Sequence, residues 1–222
     1  MAKNLRYYQV DRNVASSIDR PHVWQPSENS ATSRTILLLH GTGANERDLL
    51  GLGKLLDPTA NMLSPRGLVV SGGMARYFLR FENGDFDEDG IRASVDDLSG
   101  FVAAAAEHYG FDANNVWIAG FSNGATAGGA LLLRHSSQFK GLFAFGTTKS
   151  FKEPSYSKLS LAGKHIFIAN GAQDPYAPEA QTTALISEFE RLGAKVKLLV
   201  HPGGHNIVGE HVRAFAYDLQ SL

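Results

Sequence analysis

Val116-Trp117-Ile118-Ala119-Gly120-Phe121-Ser122-Asn123-Gly124-Ala125-Thr126-Ala127-Gly128-Gly129-Ala130 joins a short apolar run to a serine between two glycines and then to a run of small residues. Continuous apolar residues ending at a glycine predict a strand buried on both faces, and the small residues after the serine predict a helix packed close against it. Gly120-Phe121-Ser122-Asn123-Gly124 thus has the Gly-x-Ser-x-Gly pattern where that pattern has a mechanism, in a sharp strand-to-helix turn that pushes the serine hydroxyl outward. Side chains at the flanking positions would force strand and helix apart, so glycine is required there. With 23 glycines in the chain the pattern alone could arise by chance. Its strand-to-helix position is what gives it weight.

Working outward, Ile36-Leu37-Leu38-Leu39, Leu142-Phe143-Ala144-Phe145 and Ile166-Phe167-Ile168-Ala169 repeat the same continuous apolar character. Leu68-Val69-Val70 and Val196-Lys197-Leu198-Leu199-Val200 predict further strands, the latter nearer an edge because it carries a lysine. Between strands, Ile91, Val95, Leu98, Val102, Ala105 and Tyr109 recur at helical steps, and Gly110 offers a left-handed stop. Ala184, Ile186, Phe189 and Leu192 before Gly193, and Val208, Val212, Phe215 and Leu219, predict two more helices. Tyr7-Tyr8-Gln9-Val10 and the 21–30 stretch fit an antiparallel strand followed by a loop. The expected fold class is α/β, a mostly parallel central sheet with helices on both faces, formed by residues 1–222 as one domain.

A serine hydroxyl is a poor nucleophile until an imidazole removes its proton and a carboxylate fixes the imidazole's tautomer. On an elbow of this kind the acid and then the histidine follow the serine in the chain, each in a loop leaving a strand. Asp174 lies in Asn170-Gly171-Ala172-Gln173-Asp174-Pro175, after the strand at 166–169, and His205 lies in His201-Pro202-Gly203-Gly204-His205, after the strand at 196–200. An Asp before proline is ordinarily a turn residue; its place between serine and histidine makes Asp174 the best acid. Asp96, Asp97 and Asp112 precede the serine, and Glu179 opens a helix, where an acid complements the dipole. His201 is the rival base, but it continues the strand and precedes rigid Pro202, whereas His205 follows a Gly-Gly pair that lets the backbone turn. Backbone N–H groups of Thr42, in Leu39-His40-Gly41-Thr42-Gly43, and of Asn123 are the expected oxyanion donors. The glycine-rich 40–43 loop lacks the Lys-Ser/Thr of a nucleotide-binding loop. His40 is read as structural.

Composition narrows the alternatives. The 222 residues are 43% hydrophobic and 19% charged, enough for one large core, and the net charge of −1 gives no electrostatic footprint for nucleic acid or an anionic membrane. Without cysteine there is no disulfide, thiolate or cysteine metal site. Neither a signal-peptide pattern nor a run of about 20 apolar residues is present, so a cytoplasmic protein without an integral membrane segment is expected.

With these residues in place the sequence resembles the phospholipase/carboxylesterase family of α/β hydrolases, the small lidless group that includes acyl-protein thioesterases and bacterial carboxylesterases. The resemblance is carried by Leu38 to Gly43 with Asn45-Glu46 and Asp48-Leu49-Leu50, by Gly120 to Ala125, by Gly171 to Pro175 with Pro178, and by Gly203-Gly204-His205. Ser64-Pro65-Arg66-Gly67, Arg76 to Phe81 and Phe86-Asp87-Glu88 are similar to a bacterial branch of that family linked to hydroquinone resistance. Asn123 stands where many thioesterase members carry glutamine, which leaves the backbone donor intact. The resemblance implies an α/β-hydrolase fold without a cap domain, and the short interval from Thr147 to Lys164 has no room for one. It implies a serine esterase using Ser122, His205 and Asp174, needing no metal or organic cofactor and acting on a small-molecule ester. Thioesterase, lysophospholipase or carbon–carbon hydrolase chemistry on the same triad, or a non-catalytic binding protein that keeps the fold, are the alternatives. A homodimer stays open. The 72–90 segment is the candidate cover for the site: either Phe81 and Phe86 line the acyl or alcohol pocket, or its aromatics Tyr77, Phe78, Phe81 and Phe86 simply join the core.

Overall fold

The structure, a computed structural model, describes residues 12–152 and 159–222. Its chain order is α1 (Arg12–Ala15), β1 (His22–Gln25), β2 (Thr35–Leu39), α2 (Leu50–Leu56), β3 (Asn61–Pro65), β4 (Val69–Ser71), β5 (Met74–Arg76), α3 (Glu88–Tyr109), β6 (Val116–Phe121), α4 (Asn123–Arg134), β7 (Gly141–Phe145), β8 (His165–Gly171), α5 (Glu179–Arg191), β9 (Lys195–His201) and α6 (Gly209–Leu219). The main sheet runs β1-β3-β2-β6-β7-β8-β9, and every pairing in it is parallel except that of β1 with β3.

Alternation along the buried strands explains why they read as unbroken apolar runs. Leu37 and Leu39 of β2, Leu142 and Ala144 of β7, and Ile166 and Ile168 of β8 face a core shared with α3, α4 and α5. Ile36 and Leu38, Phe143 and Phe145, and Phe167 and Ala169 face a second core shared with α2 and α6. Both faces of each strand are covered, so both sets of positions must be apolar. On the second face Trp117, Phe143 and Phe167 stack with centroids 5.4 and 4.8 Å apart, and Phe215 of α6 lies 5.2 Å from Phe167. β9 is one edge of the sheet: Lys195 and Lys197 stand on it, and Lys197 pairs with Asp218 at 2.6 Å.

Helix ends follow local chemistry. The Asp87 carboxylate accepts the Gly90 N–H at 3.0 Å to cap α3, and Gly110 ends it with φ of 72°. Gly193 does the same after α5 with φ of 93°.

Two expectations need correction, and one strand went unpredicted. The antiparallel strand is His22–Gln25, within the stretch read as loop, while residues 7–10 lie outside the described residues. Val69–Ser71 does not join the main sheet but forms a two-stranded hairpin with Met74–Arg76. The strand beside β2 is instead Asn61–Pro65, whose buried polar groups hide it: Asn61 Nδ2 donates to the Ser30 carbonyl at 2.8 Å, and Ser64 Oγ to the Leu38 carbonyl at 3.3 Å.

The chain leaves β2 toward β3 on one side, and β6 flanks β2 on the other, so the crevice at the carboxyl ends of β2 and β6 is a topological switch point where open α/β sheets bind ligands. α4 is drawn tightly into this crevice, and a Cβ on Gly124 would overlap the Leu39 carbonyl. Gly124→Ala should therefore destabilise the fold by about 3 kcal/mol, since neither backbone can yield. Gly51→Ala, on the exposed face of α2 with nothing within 4 Å of the new methyl, should be neutral or stabilising by up to about 1 kcal/mol. Urea unfolding of the two variants beside the parent checks the contrast.

Candidate active site

Ser122 sits between β6 and α4 with φ of 55°, and among the described residues it is the one non-glycine in the left-handed region. That conformation is strained for an L-residue and persists because its surroundings hold it. The Ser122 N–H donates to the Phe145 carbonyl at 2.9 Å, and its carbonyl accepts the Thr126 N–H at 3.0 Å. A Cβ on Gly120 would come within 2.7 Å of the Ala125 nitrogen, which is why the turn needs glycine before as well as after the serine. The result is a half-buried hydroxyl at the N-terminus of α4, facing the crevice.

Two further loops converge on it. The exits of β8 and β9 are stitched together: Ala172 N–H donates to the His201 carbonyl at 2.8 Å and Gln173 N–H to the Gly203 carbonyl at 3.0 Å. This ladder carries Asp174 and His205 side by side, with Asp174 Oδ2 2.6 Å from His205 Nδ1. The Asp174 side chain is fully buried, and its Oδ1 accepts the Tyr176 and Ala177 N–H groups at 2.8 and 3.3 Å. Fixed in this way the carboxylate selects the tautomer with the proton on Nδ1, leaving Nε2 to accept. His205 Nε2 lies 2.8 Å from Ser122 Oγ.

Glycine permits this approach at positions other than those expected. Gly203 and Gly204 are not in the left-handed region; their carbonyls rest against Gly171, which has no room for a Cβ. Gly146, with φ of 62°, leaves room for the imidazole, because a Cβ there would come within 2.8 Å of His205 Cε1. His201 is buried below the loop, its Nδ1 accepting the Gly203 N–H at 3.1 Å, and does not approach the serine.

The loop after β2 forms the other wall. His40 is wholly buried; its Nδ1 donates to the Gly41 carbonyl at 2.7 Å and its Nε2 accepts the Gly67 N–H at 3.0 Å. The Gly41 carbonyl also accepts the Ala44 N–H at 3.2 Å, and in a planar trans peptide this turns the Thr42 N–H the opposite way. Below, Glu46 and Arg66 form a two-pronged ion pair, and the buried Tyr77 hydroxyl donates to the Pro65 carbonyl at 2.9 Å. Asn123 spans the cleft: its Oδ1 accepts the Tyr77 N–H at 2.7 Å, and its Nδ2 donates to the Phe78 carbonyl at 3.1 Å.

The cleft above these groups measures about 510 Å3, a size suited to a small molecule. Ser122, Asn123, Thr42 and His205 line it together with Phe78, Phe86 and Phe121. Phe81 does not, which corrects one expectation. An antiparallel bridge joins Arg80 to Phe86, so Phe86 faces the cleft with Arg80 while the intervening Phe81 alternates outward and is 40% exposed. Tyr77 and Phe78 belong to the core. The sequence reading missed Tyr176, whose ring meets the His205 ring edge-on at 5.0 Å, and it gave no role to Arg76 and Arg80 in the cleft wall. Tyr176 stands two residues beyond Asp174, and that proximity was the available signal.

A parallel sheet with this strand order, a strained serine at the switch point and the carboxylate–imidazole–hydroxyl relay define the α/β-hydrolase class. The model of the phospholipase/carboxylesterase family matches residues 21–221, and the chain belongs to that family of hydrolases. It is 33% identical over 180 residues to "Putative hydrolase MhqD" of Bacillus subtilis (strain 168), which covers 81% of this chain and 89% of that protein. Among solved structures it resembles the Bacillus cereus carboxylesterase, with TM-score 0.86, 34% identity, and 95% and 98% of the two chains covered. YahD with malic acid gives TM-score 0.84 and 25% identity over 91% of this chain and 98% of that one. Among the described residues no helix is long and apolar enough to cross a membrane.

Burial lowers the pKa of His40 below that of free histidine, and its bond to the Gly41 carbonyl only partly opposes the shift. Burial also lowers His165 and His211. Above the unfolded value near 6.5 both states are neutral; below it the unfolded chain binds protons that the folded chain resists, so stability falls with pH. Unfolding free energy should decline from pH 7 toward pH 5.5, by at most about 1.4 kcal/mol per pH unit for the buried His40 and by less for the more exposed, solvent-screened His165 and His211. His40→Gln should flatten the decline. Urea titrations across that range check it, and an unaltered slope in the variant would contradict a neutral buried His40.

Proposed function

We propose that the chain is a serine carboxylesterase that hydrolyses small to medium carboxylic esters through an acyl-enzyme. The observation that carries this reading is the continuous relay from Asp174 through His205 to Ser122, at 2.6 and 2.8 Å. Ser122 Oγ attacks the ester carbonyl carbon while His205 Nε2 takes its proton, and the imidazolium then protonates the departing alcohol. Water enters and gives a proton to His205 as its oxygen adds to the acyl carbon, and His205 then returns that proton to Ser122 Oγ as the acyl–serine bond breaks and the acid leaves. Asp174 keeps the imidazole in the right tautomer and stabilises its charged form.

Negative charge on the carbonyl oxygen falls to the Thr42 and Asn123 backbone N–H groups. Asn123 opens α4, where first-turn N–H groups have no intrahelical acceptor, and the His40–Gly41 bond supports an outward Thr42 N–H. The cleft's volume and its Phe78, Phe86 and Phe121 wall suit a short acyl or alcohol group. That one relative's structure is described with malic acid, a small carboxylic acid, is in keeping with this substrate size.

A fluorophosphonate probe should label the parent chain and leave Ser122→Ala unlabelled. On a panel of p-nitrophenyl esters, Ser122→Ala and His205→Ala should each lower kcat by a factor on the order of 10⁵–10⁶, and Asp174→Asn by about 10⁴. Equal labelling of Ser122→Ala would sink the assignment, and a marked preference for acyl-thioesters in the same panel would move the activity to a thioesterase.

A further inference from the structure

Two cations stand in the cleft wall with no part in the relay. Arg76 and Arg80 both line the cleft that holds Ser122, and Asp48 is the sole acid among its lining residues. The Arg80 guanidinium lies 4.9 Å from the Phe86 ring centroid and 5.9 Å from that of Tyr176. Nearby acids are engaged elsewhere: Asp85 pairs with Lys152 at 2.6 Å, and Glu88 with Arg92 at 3.0 Å. No described carboxylate pairs with Arg80 or Arg76 among the ion pairs of the described residues. Arg76 donates one terminal N–H to the Ser71 carbonyl at 3.3 Å, and its Nε is buried without an acceptor.

A wall for wholly neutral esters gains nothing from two guanidinium groups, which an apolar ligand would strip of water without compensation. A carboxylate compensates them, because the guanidinium fork matches both its oxygens in short charge-assisted bonds. Contacts with Phe86 and Tyr176 restrain Arg80 while such bonds use the edge of its plane. The Tyr176 ring also touches His205, at 5.0 Å, so the cation stands one ring away from the reacting groups. Phe78, Phe86 and Phe121 in the same cleft offer apolar surface for a few methylenes.

We propose that the cleft selects esters bearing a carboxylate a short carbon chain from the scissile bond, with Arg80 recognising that carboxylate and Arg76 reinforcing the positive wall. This rests on the esterase reading above. On it, the reaction consumes either a half-ester of a dicarboxylic acid, releasing the dicarboxylate and an alcohol, or an O-acylated hydroxy acid, releasing the hydroxy acid and a second carboxylic acid.

Two matched pairs test the proposal and tell a carboxylate on the acyl side from one on the alcohol side: monoethyl glutarate against ethyl pentanoate, and 4-(butanoyloxy)butanoate against butyl butanoate. In the parent chain kcat/KM should favour the anionic member of at least one pair by about tenfold or more, as a close charge-assisted pair provides. Arg80→Gln should reduce that preference by about tenfold, Arg80→Lys should keep part of it, and high salt should narrow it in the parent more than in Arg80→Gln. Fluorophosphonate labelling of each variant reports whether its serine site is intact. Neutral esters turned over as fast as anionic ones by the parent, or a preference that survives in a labelled Arg80→Gln, would overturn the proposal while leaving the esterase reading in place. Failure of the parent to cleave any of the four esters or to take the label would overturn both.

Discussion

The contact of Gly124 with the carbonyls of Leu39 and His40 is the constraint on which the site is built. It brings the start of α4 against the end of β2, so that the loop after one strand and the turn after its neighbour share a crevice. With α4 held this close, the turn from β6 must be sharp, and the left-handed Ser122 is the consequence. The same approach puts the backbone of Asn123 opposite that of Thr42 across a small-molecule-sized cleft. Strain at the serine is tolerated because bonds to Phe145 and Thr126 over-determine its backbone.

The other half of the site depends on a different device. Asp174 and His205 belong to loops leaving adjacent strands, and hydrogen bonds between those loops make them behave as one body. A buried carboxylate with two backbone donors and an imidazole has little freedom, so the histidine's orientation is set before any ligand arrives. Gly146 and Gly171 remove the obstacles to this convergence, and neither belongs to the Gly-Gly pair that drew notice in the sequence.

Much of this was legible because buried parallel strands advertise themselves. The runs at 36–39, 116–119, 142–145 and 166–169 are apolar on both faces, and helix signals with Gly110 and Gly193 separate some of them. Motif order then pointed to Ser122, Asp174 and His205, and the structure brings the three together. What could not be read has physical causes. β3 is hidden because Asn61 and Ser64 satisfy their polar groups inside the protein, which no periodicity reports. Leu68 to Val70 looks like a sheet strand, but its pairing is with a hairpin partner only a turn away. Phe81 and Phe86 are equally aromatic, and only the Arg80–Phe86 bridge decides which one faces the cleft.

Asn123 links the two halves in a further way. It lines the cleft beside Ser122, while its side chain grips the main chain of Tyr77 and Phe78, the start of the segment that walls the cleft. The residue after Ser122 is thus a spacer that sets how far that wall stands from the serine. A glutamine there would hold the same two backbone groups one methylene further away, or release them. A change at this one position would then widen or slacken the groove while Ser122, His205 and Asp174 stay where they are.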